Sequence, residues 1–266
     1  EPIGMSGMRL EVKTHIVTGA VSAAQNIVKC VRRCGLEVND LVLQPLSSSY
    51  AVLSEDEKDL GVCLIDIGGG TTDLAVWTQG AIRYTSVIPI AGDQITNDIA
   101  MAFRTPTREA EHIKCKYGCA LSHLADHAKS MEVAGVDDRP SKKLTGRALA
   151  DVIQPRVEEL YELIQHELRR AGFEEVLSSG IVLTGGASVM PGMVELGEEI
   201  FHMPLRLGSP KYTGSLADVV QCPRFSTAFG LLLEAQAQRK RGQKIKEKQN
   251  VKDVFDGMKS WFAKNF

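Results

Sequence analysis

The sequence predicts an α/β fold. Two apolar segments that each run straight into a glycine turn, LIDIGGG and IVLTGG, and a long amphipathic helix between them carry that prediction. With 266 residues, 44% hydrophobic and 24% charged, the composition is that of a globular protein with material for one large core or two smaller ones. A formal net charge of -2 gives no whole-molecule attraction to nucleic acid. No apolar run approaches the roughly 20 residues that span a bilayer. The first residues, EPIGMSGMRLEVKTHIVTG, read as the middle of a sheet, so the chain is expected to be the C-terminal part of something longer.

Taken in order, Val21, Ala24, Ile27, Val28 and Val31 make a helical stripe within residues 17–34, and Gly35 ends it. A short strand, LVLQPL, and a helical stretch, SSSYAVLSEDEKDLG, follow. VCLIDIGGGTTDLAVWTQGAIRYTSVIPI then reads as strand, glycine turn, strand, turn, strand. Residues 93–172 are mostly helical, with a polar, proline-containing interruption near 130–143. Their clearest helix is ALADVIQPRVEELYELIQHELRRAG, with Leu149, Val152, Ile153, Val157, Leu160, Tyr161, Ile164 and Leu168 on one face. SSGIVLTGGASVMPGMVELGEEIF returns to strand, glycine turn and helix, and FSTAFGLLLEAQ is a further helix. QRKRGQKIKEKQN has almost no apolar content and reads as a solvated linker.

Six cysteines without CxxC spacing read as reduced thiols rather than a disulfide framework. Cys119, His123 and His127 share a helix face at ligand-like spacing, but no fourth donor completes a tetrahedral set.

The chemistry concentrates in the glycine turns. Strand residues deliver Asp66 to a sheet edge, where Gly68, Gly69 and Gly70 let the backbone take positive φ and approach a ligand closely. Their N–H groups converge as an anion-binding nest, Thr71 and Thr72 add hydroxyl donors, and Asp66 is placed to hold a hydrated Mg²⁺. No GK[ST] follows, which excludes a P-loop, and the glycines lead into a strand, which excludes a Rossmann turn. A plain hairpin turn is the alternative for the glycines alone.

LIDIGGGTTDLAVW resembles the second phosphate-binding hairpin of the actin, sugar-kinase and heat-shock-chaperone superfamily, and IVLTGGASVMPGM resembles its adenosine motif. Within that superfamily the whole chain resembles the FtsA family of bacterial cell-division proteins. The matching segments are GMSGMRLEVKTHIVT, the hairpin, AEHIKCKYGCAL, RALADVIQPRVEEL, LTGGASVMPGMVELGEEIFHMPLRLG and the terminal residues. The resemblance implies an actin-like (ribonuclease H-like) fold, incomplete at the N-terminus, with ATP and Mg²⁺ in a cleft. Asp66 (through water to the metal), Gly68, Gly69, Gly70, Thr71 and Thr72 would face the phosphates. Gly185, Gly186 and Ala187 would lie against adenine and ribose, which Glu111 and Lys114, on one helix face, would also reach. A surface ion pair is the alternative for the last two. In domain terms, residues 1–60 would be the remainder of the first lobe. Residues 61–92 and 173–210 would form the core of the second, 93–172 a helical subdomain, and 211–237 a segment and helix returning to the first lobe. A basic linker, 238–250, and a membrane-targeting helix, 251–266, would complete the chain.

The family polymerises, binds the tail of tubulin-like FtsZ, ties the FtsZ ring to the inner face of the cytoplasmic membrane at the division site, and recruits later division proteins. Arg156 and Glu159, on the helical subdomain, are the corresponding docking candidates, a solvated face being the alternative. Set against the family it resembles, the sequence shows two departures. The chain begins after the family's first phosphate hairpin, so the cleft lacks one wall. Gln44 stands where superfamily enzymes often carry a glutamate before a proline, and an amide is no general base, so at most weak ATP hydrolysis is implied. Two rival readings share the fold: a sugar-kinase-like phosphotransferase, for which no segment clearly supplies an aspartate base, and a pilus-assembly actin homologue.

On a helical wheel Val251, Val254, Phe255, Met258, Trp261, Phe262 and Phe266 fall on one arc, flanked by Lys252 and Lys259. An aromatic-rich helix behind a basic linker fits an anionic membrane surface, the alternative being a helix docked on the protein's own core. Each buried Phe, Trp or Met contributes at most about 1.5–3 kcal/mol, and ordering the helix costs about 1 kcal/mol or more per residue. A single copy therefore attaches weakly, and linking copies in a filament raises the avidity.

Overall fold

The structure is a computed structural model in which residues 4–12, 14–126, 130–135 and 140–240 are described. Three consecutive strands, β1 (Val62–Ile67), β2 (Thr72–Thr78) and β3 (Ala81–Ile88), form an antiparallel meander. After a small antiparallel hairpin of β4 (Ser130–Val133) and β5 (Lys142–Thr145), the chain returns with β6 (Ile181–Thr184) and β7 (Leu205–Leu207). β6 lies parallel to β1 and β7 parallel to β6, so the main sheet runs β3-β2-β1-β6-β7.

Every residue of β1 is buried, because helices cover both faces of the sheet. The period-2 alternation sends Cys63, Ile65, Ile67, Leu74 and Val76 into one core, with α4 (Gly92–Phe103), α5 (Thr107–Tyr117), α6 (Gly146–Ala171) and α7 (Met193–Phe201). It sends Val62, Leu64, Ala75, Trp77 and Val182 to the other side, against α2 (Gln44–Val52) and Phe229 of α9 (Ser226–Lys240). α6 behaves as its stripe predicts: it is capped by Thr145 Oγ1, ends at Gly172 with φ +73°, and buries every stripe residue but Val152, which is half-buried. The Tyr161 hydroxyl is satisfied by donating to the Met193 carbonyl at 2.9 Å.

Several expectations are corrected. No strand forms in the first described residues, and Met8, Leu10, Val12 and Ile16 are exposed, because that segment finds no strand partner among the described residues. The first helix exists, as α1 (Val21–Arg33), with Gly35 at positive φ behind it, yet none of its residues is buried. LVLQPL is not a strand: Pro45 sits in the first turn of α2, where its missing N–H has no cost. The helical stretch after it is two helices, because Ser54 and Glu57 form a capping box that starts α3 (Glu55–Leu60) afresh. The interruption near 130–143 holds the β4–β5 hairpin, whose alternation over four residues is too short to separate from loop by pattern. A short helix, α8 (Ala217–Val220), adds to the predicted set. α9 runs on to Lys240, into the segment read as linker, and residues 251–266 lie outside the described residues. Among the described residues no helix is long and apolar enough to cross a membrane.

α9 reaches the sheet's second face only by crossing α2 at Gly230, where an added Cβ would stand 1.8 Å from the Ser47 carbonyl oxygen. Gly230→Ala is therefore expected to lower the denaturant midpoint by the equivalent of about 1–3 kcal/mol. Gly172→Ala, at an open position, should cost only about 1 kcal/mol through its backbone conformation. Equal losses would show that the α2–α9 crossing is not close-packed.

Candidate functional site

The two glycine turns leave the same edge of the sheet, at the C-terminal ends of adjacent parallel strands. Asp66 of β1 is in register with Thr184 of β6, the place where open α/β sheets bind ligands. Gly185 follows Thr184 with φ +92°, and a Cβ there would fall 2.4 Å from the Ile67 carbonyl oxygen and 2.5 Å from Asp66 Oδ1. Only glycine fits, on both counts.

Gly68, Gly69 and Gly70 differ from expectation in the reason for their presence. None has positive φ. A Cβ on Gly68 would stand 3.1 Å from the Thr71 carbonyl oxygen and one on Gly69 would stand 3.3 Å from Asp93 Oδ1, while Gly70 has nothing within 4 Å. The Gly68 N–H closes the turn onto the Thr71 carbonyl at 3.0 Å, and the Gly68 and Gly69 carbonyls accept from the Gly92 and Asp93 N–H groups at 3.1 and 2.8 Å. Among the described residues, neither the Gly69 nor the Gly70 N–H has an acceptor, and both residues are exposed.

Gly92, at the start of α4, joins the parts. A Cβ on it would lie 3.2 Å from Gly68 O, 3.4 Å from Lys114 Nζ and 3.5 Å from Ala187 Cβ. The first glycine turn, α5 and the turn after β6 thus share one corner of the molecule. A separate cleft of about 800 Å³ lies at the other end of the sheet, lined by Asp59, Gln79, Arg83 and Phe173 among others, and includes none of these residues.

A family model described as "Cell division protein FtsA" matches residues 63–230. This chain belongs to the FtsA family. It is 55% identical over 273 residues to the cell division protein FtsA of Pseudomonas aeruginosa and 44% identical over 275 residues to that of Escherichia coli K12, covering 100% of itself in both. The chain spans 66% of the length of each of these relatives. Among solved structures, MreB5 of Spiroplasma citri bound to ADP superposes with a TM-score of 0.67 at 19% identity, over 85% of this chain and 69% of that one. The fold is thus the mixed α/β, actin-like one that the sequence resemblance implies, and the family match is to FtsA.

In this FtsA-family chain Asp66 is buried. Its Oδ2 accepts from Ser48 Oγ at 2.6 Å and from Thr227 Oγ1 at 3.3 Å. Thr72, expected to offer its hydroxyl outward, is buried and donates to the Ile90 carbonyl at 2.7 Å, because it opens β2 beneath the sheet edge. Thr71 is exposed, with Oγ1 3.5 Å from Asp73 Oδ2. Glu111 and Lys114 do pair, at 2.6 Å, but Lys114 is only 8% exposed and also donates to Gly92 O at 2.9 Å and Thr96 Oγ1 at 2.8 Å. Partial burial works against the Glu111 charge, yet the Lys114 ammonium and the Thr96 and Cys115 hydrogen bonds hold its carboxyl below the usual range. Gly186 and Ala187 begin a tight turn in which Ser188 Oγ donates to the Gly185 carbonyl at 2.7 Å.

The docking candidates lie elsewhere, on the helical face. Arg156 of α6 forms a two-armed ion pair with Asp98 of α4, at 2.5 and 3.0 Å, and also pairs with Glu159. Its donors are thus engaged within the protein. No cluster of three or more His, Cys, Asp or Glu among the described residues is arranged for a metal, and His127 lies outside them. All six cysteines are unpaired. Gln44 is exposed at the start of α2.

Sequence reasoning missed Ser48, Gly92, Arg224, Ser226 and Thr227. Ser48 and Thr227 are 179 positions apart, so no local pattern announces that both serve Asp66. It also passed over Asp73, which faces Asp66 in the β1–β2 register. Burial, then the Asp66 charge, push the Asp73 carboxyl up to about 6. Folding therefore favours its protonated form, and stability falls as pH rises from the unfolded value near 4 to about 6. Asp73→Asn removes that penalty. At pH 8 it should be more stable than the parent by on the order of 2 kcal/mol, with the gap closing towards pH 4. A pH-independent difference between the two proteins' melting curves would refute the assignment.

Proposed function

We propose that this chain is the C-terminal part of an ATP-binding, polymerising cell-division protein. The observation that carries the nucleotide reading is the pair of exposed, unaccepted N–H groups at Gly69 and Gly70, beside a Gly185 corner built for close backbone approach. Such amides fit a phosphate anion. Gly68 to Thr71 would take the phosphates, and Gly185, Gly186 and Ala187 would take the adenosine, with Glu111 on the same side. Lys114 would contribute mainly by holding Gly92 and Thr96 in place, given its three internal partners. Asp66 is buried and two hydroxyls already use one of its oxygens, which fits an outer role towards Mg²⁺ through water and not a direct bond. When bound, the cation would neutralise phosphate charge. Gln44 supplies no base, so turnover would be weak at most.

The remaining roles rest on family membership and on the terminal sequence. Residues 251–266 would lie in the inner face of the cytoplasmic membrane, with filament formation multiplying a weak anchor. The tail of FtsZ would dock on the α4–α6 surface around Arg156 and Glu159, tying the ring to the membrane, and later division proteins would assemble on the filament.

Two measurements test these roles. Gly69→Asp places a carboxylate at the phosphate corner beside Asp93. In the full-length protein it should weaken ADP and ATP binding at least tenfold with the melting temperature little changed; undiminished binding would remove the site. Trp261→Glu should reduce flotation with anionic liposomes, and equal flotation of variant and parent would remove the anchor.

A further inference from the structure

We infer that Arg224 is a third wall of the nucleotide corner, its guanidinium plane lying against the purine base. This inference rests on the nucleotide reading above and adds a residue that no motif in the sequence marks.

Residues Pro223–Phe225 form a single tight helical turn that leads into α9. Thr184, the last residue of β6, lies 2.6 Å from Ser226 Oγ by its hydroxyl oxygen, and that hydroxyl also donates to the Gly208 carbonyl at 3.0 Å. On the other side Ser47 Oγ donates to the Thr227 carbonyl at 2.8 Å, and Thr227 Oγ1 contacts both Ser48 and Asp66. The residues just after Arg224 are therefore pinned to both strands that end at the glycine turns. A short segment held this way presents its side chain at a set place.

That place is the outer side of the second glycine turn. A Cβ on Gly186 would meet Arg224 Cβ at 3.7 Å, ordinary contact distance, and meets no other heavy atom within 4 Å. Arg224 thus borders the second glycine turn at Gly186. The guanidinium lies 4.7 Å from the Phe225 ring centroid. Among the described residues it has no carboxylate partner and no hydrogen bond. Arg156, Arg169, Arg170 and Arg206 all hold carboxylates. An exposed, planar cation with its donors unspent is suited to stack on a flat π system. The turn beside it belongs to the adenosine end of the corner, and the phosphate-facing N–H groups lie on the other turn. The base is the partner within that description.

The test compares ADP with inorganic pyrophosphate, which carries the phosphates without a base, on the full-length parent, Arg224→Gln and Arg224→Lys. ADP affinity should fall about tenfold in both variants, because lysine keeps the charge but not the plane, while pyrophosphate affinity stays unchanged. Unchanged ADP affinity in either variant would overturn the inference. So would an equal loss for pyrophosphate, or recovery by lysine, since both would mean a phosphate contact. Should Gly69→Asp abolish ADP binding while the Arg224 variants bind as the parent does, this inference falls and the nucleotide reading stands. Should the parent bind neither compound, both fall.

Discussion

The rest of the site depends on the contact between Gly185 and β1. Any side chain at Gly185 would overlap the Ile67 carbonyl and the Asp66 carboxylate, and relieving that overlap would drive β6 away from β1. Adjacent parallel pairing, Asp66 to Thr184, is what puts the two glycine turns side by side. From that pairing follow the position of Ser226 over Thr184, the closure of α9 over α2, and the burial of Asp66 beneath Ser48 and Thr227. One missing Cβ thus sets the spacing of the corner.

The electrostatics of the corner are unusual in how little cationic charge faces outward from its centre. Lys114 is spent on Glu111, Thr96 and Gly92. The buried Asp66 is satisfied by hydroxyls, and Asp73 beside it is relieved by taking a proton more readily. What remains for an anion is backbone: the Gly69 and Gly70 amides, whose geometry the Gly68–Thr71 hydrogen bond and the α4 N-terminus fix. Backbone donors are already ordered before a ligand arrives, so little entropy is lost on using them.

Gly92 shows why such a corner resists piecemeal description. Its N–H reaches the first glycine turn, its carbonyl accepts from Lys114 and Thr96, and a Cβ on it would press on the Gly68 carbonyl oxygen at 3.2 Å. A change at any of these neighbours shifts the first turn of α4, and with it the carbonyls of Gly68 and Gly69 that cap that turn. The helix continues to Asp98, which grips Arg156. The corner and the helical face are therefore parts of one packed unit.

The sequence by itself determined the strands β1, β2, β3 and β6, the stripe of α6 and the two glycine turns, because period-2 and period-3.6 patterns and glycine punctuation are local properties. Family membership was legible for the same reason, from ordered segments of matching residues. Tertiary structure alone decided that Thr72 and Lys114 turn inward, that Asp66 is served by hydroxyls from α2 and α9, and that Gly92 and Arg224 border the corner. It also decided that Met8, Leu10, Val12 and Ile16, patterned for a sheet, have none to join among the described residues. Those outcomes depend on which distant elements meet, and hydrogen-bond partners 179 positions apart leave no trace in any window of sequence.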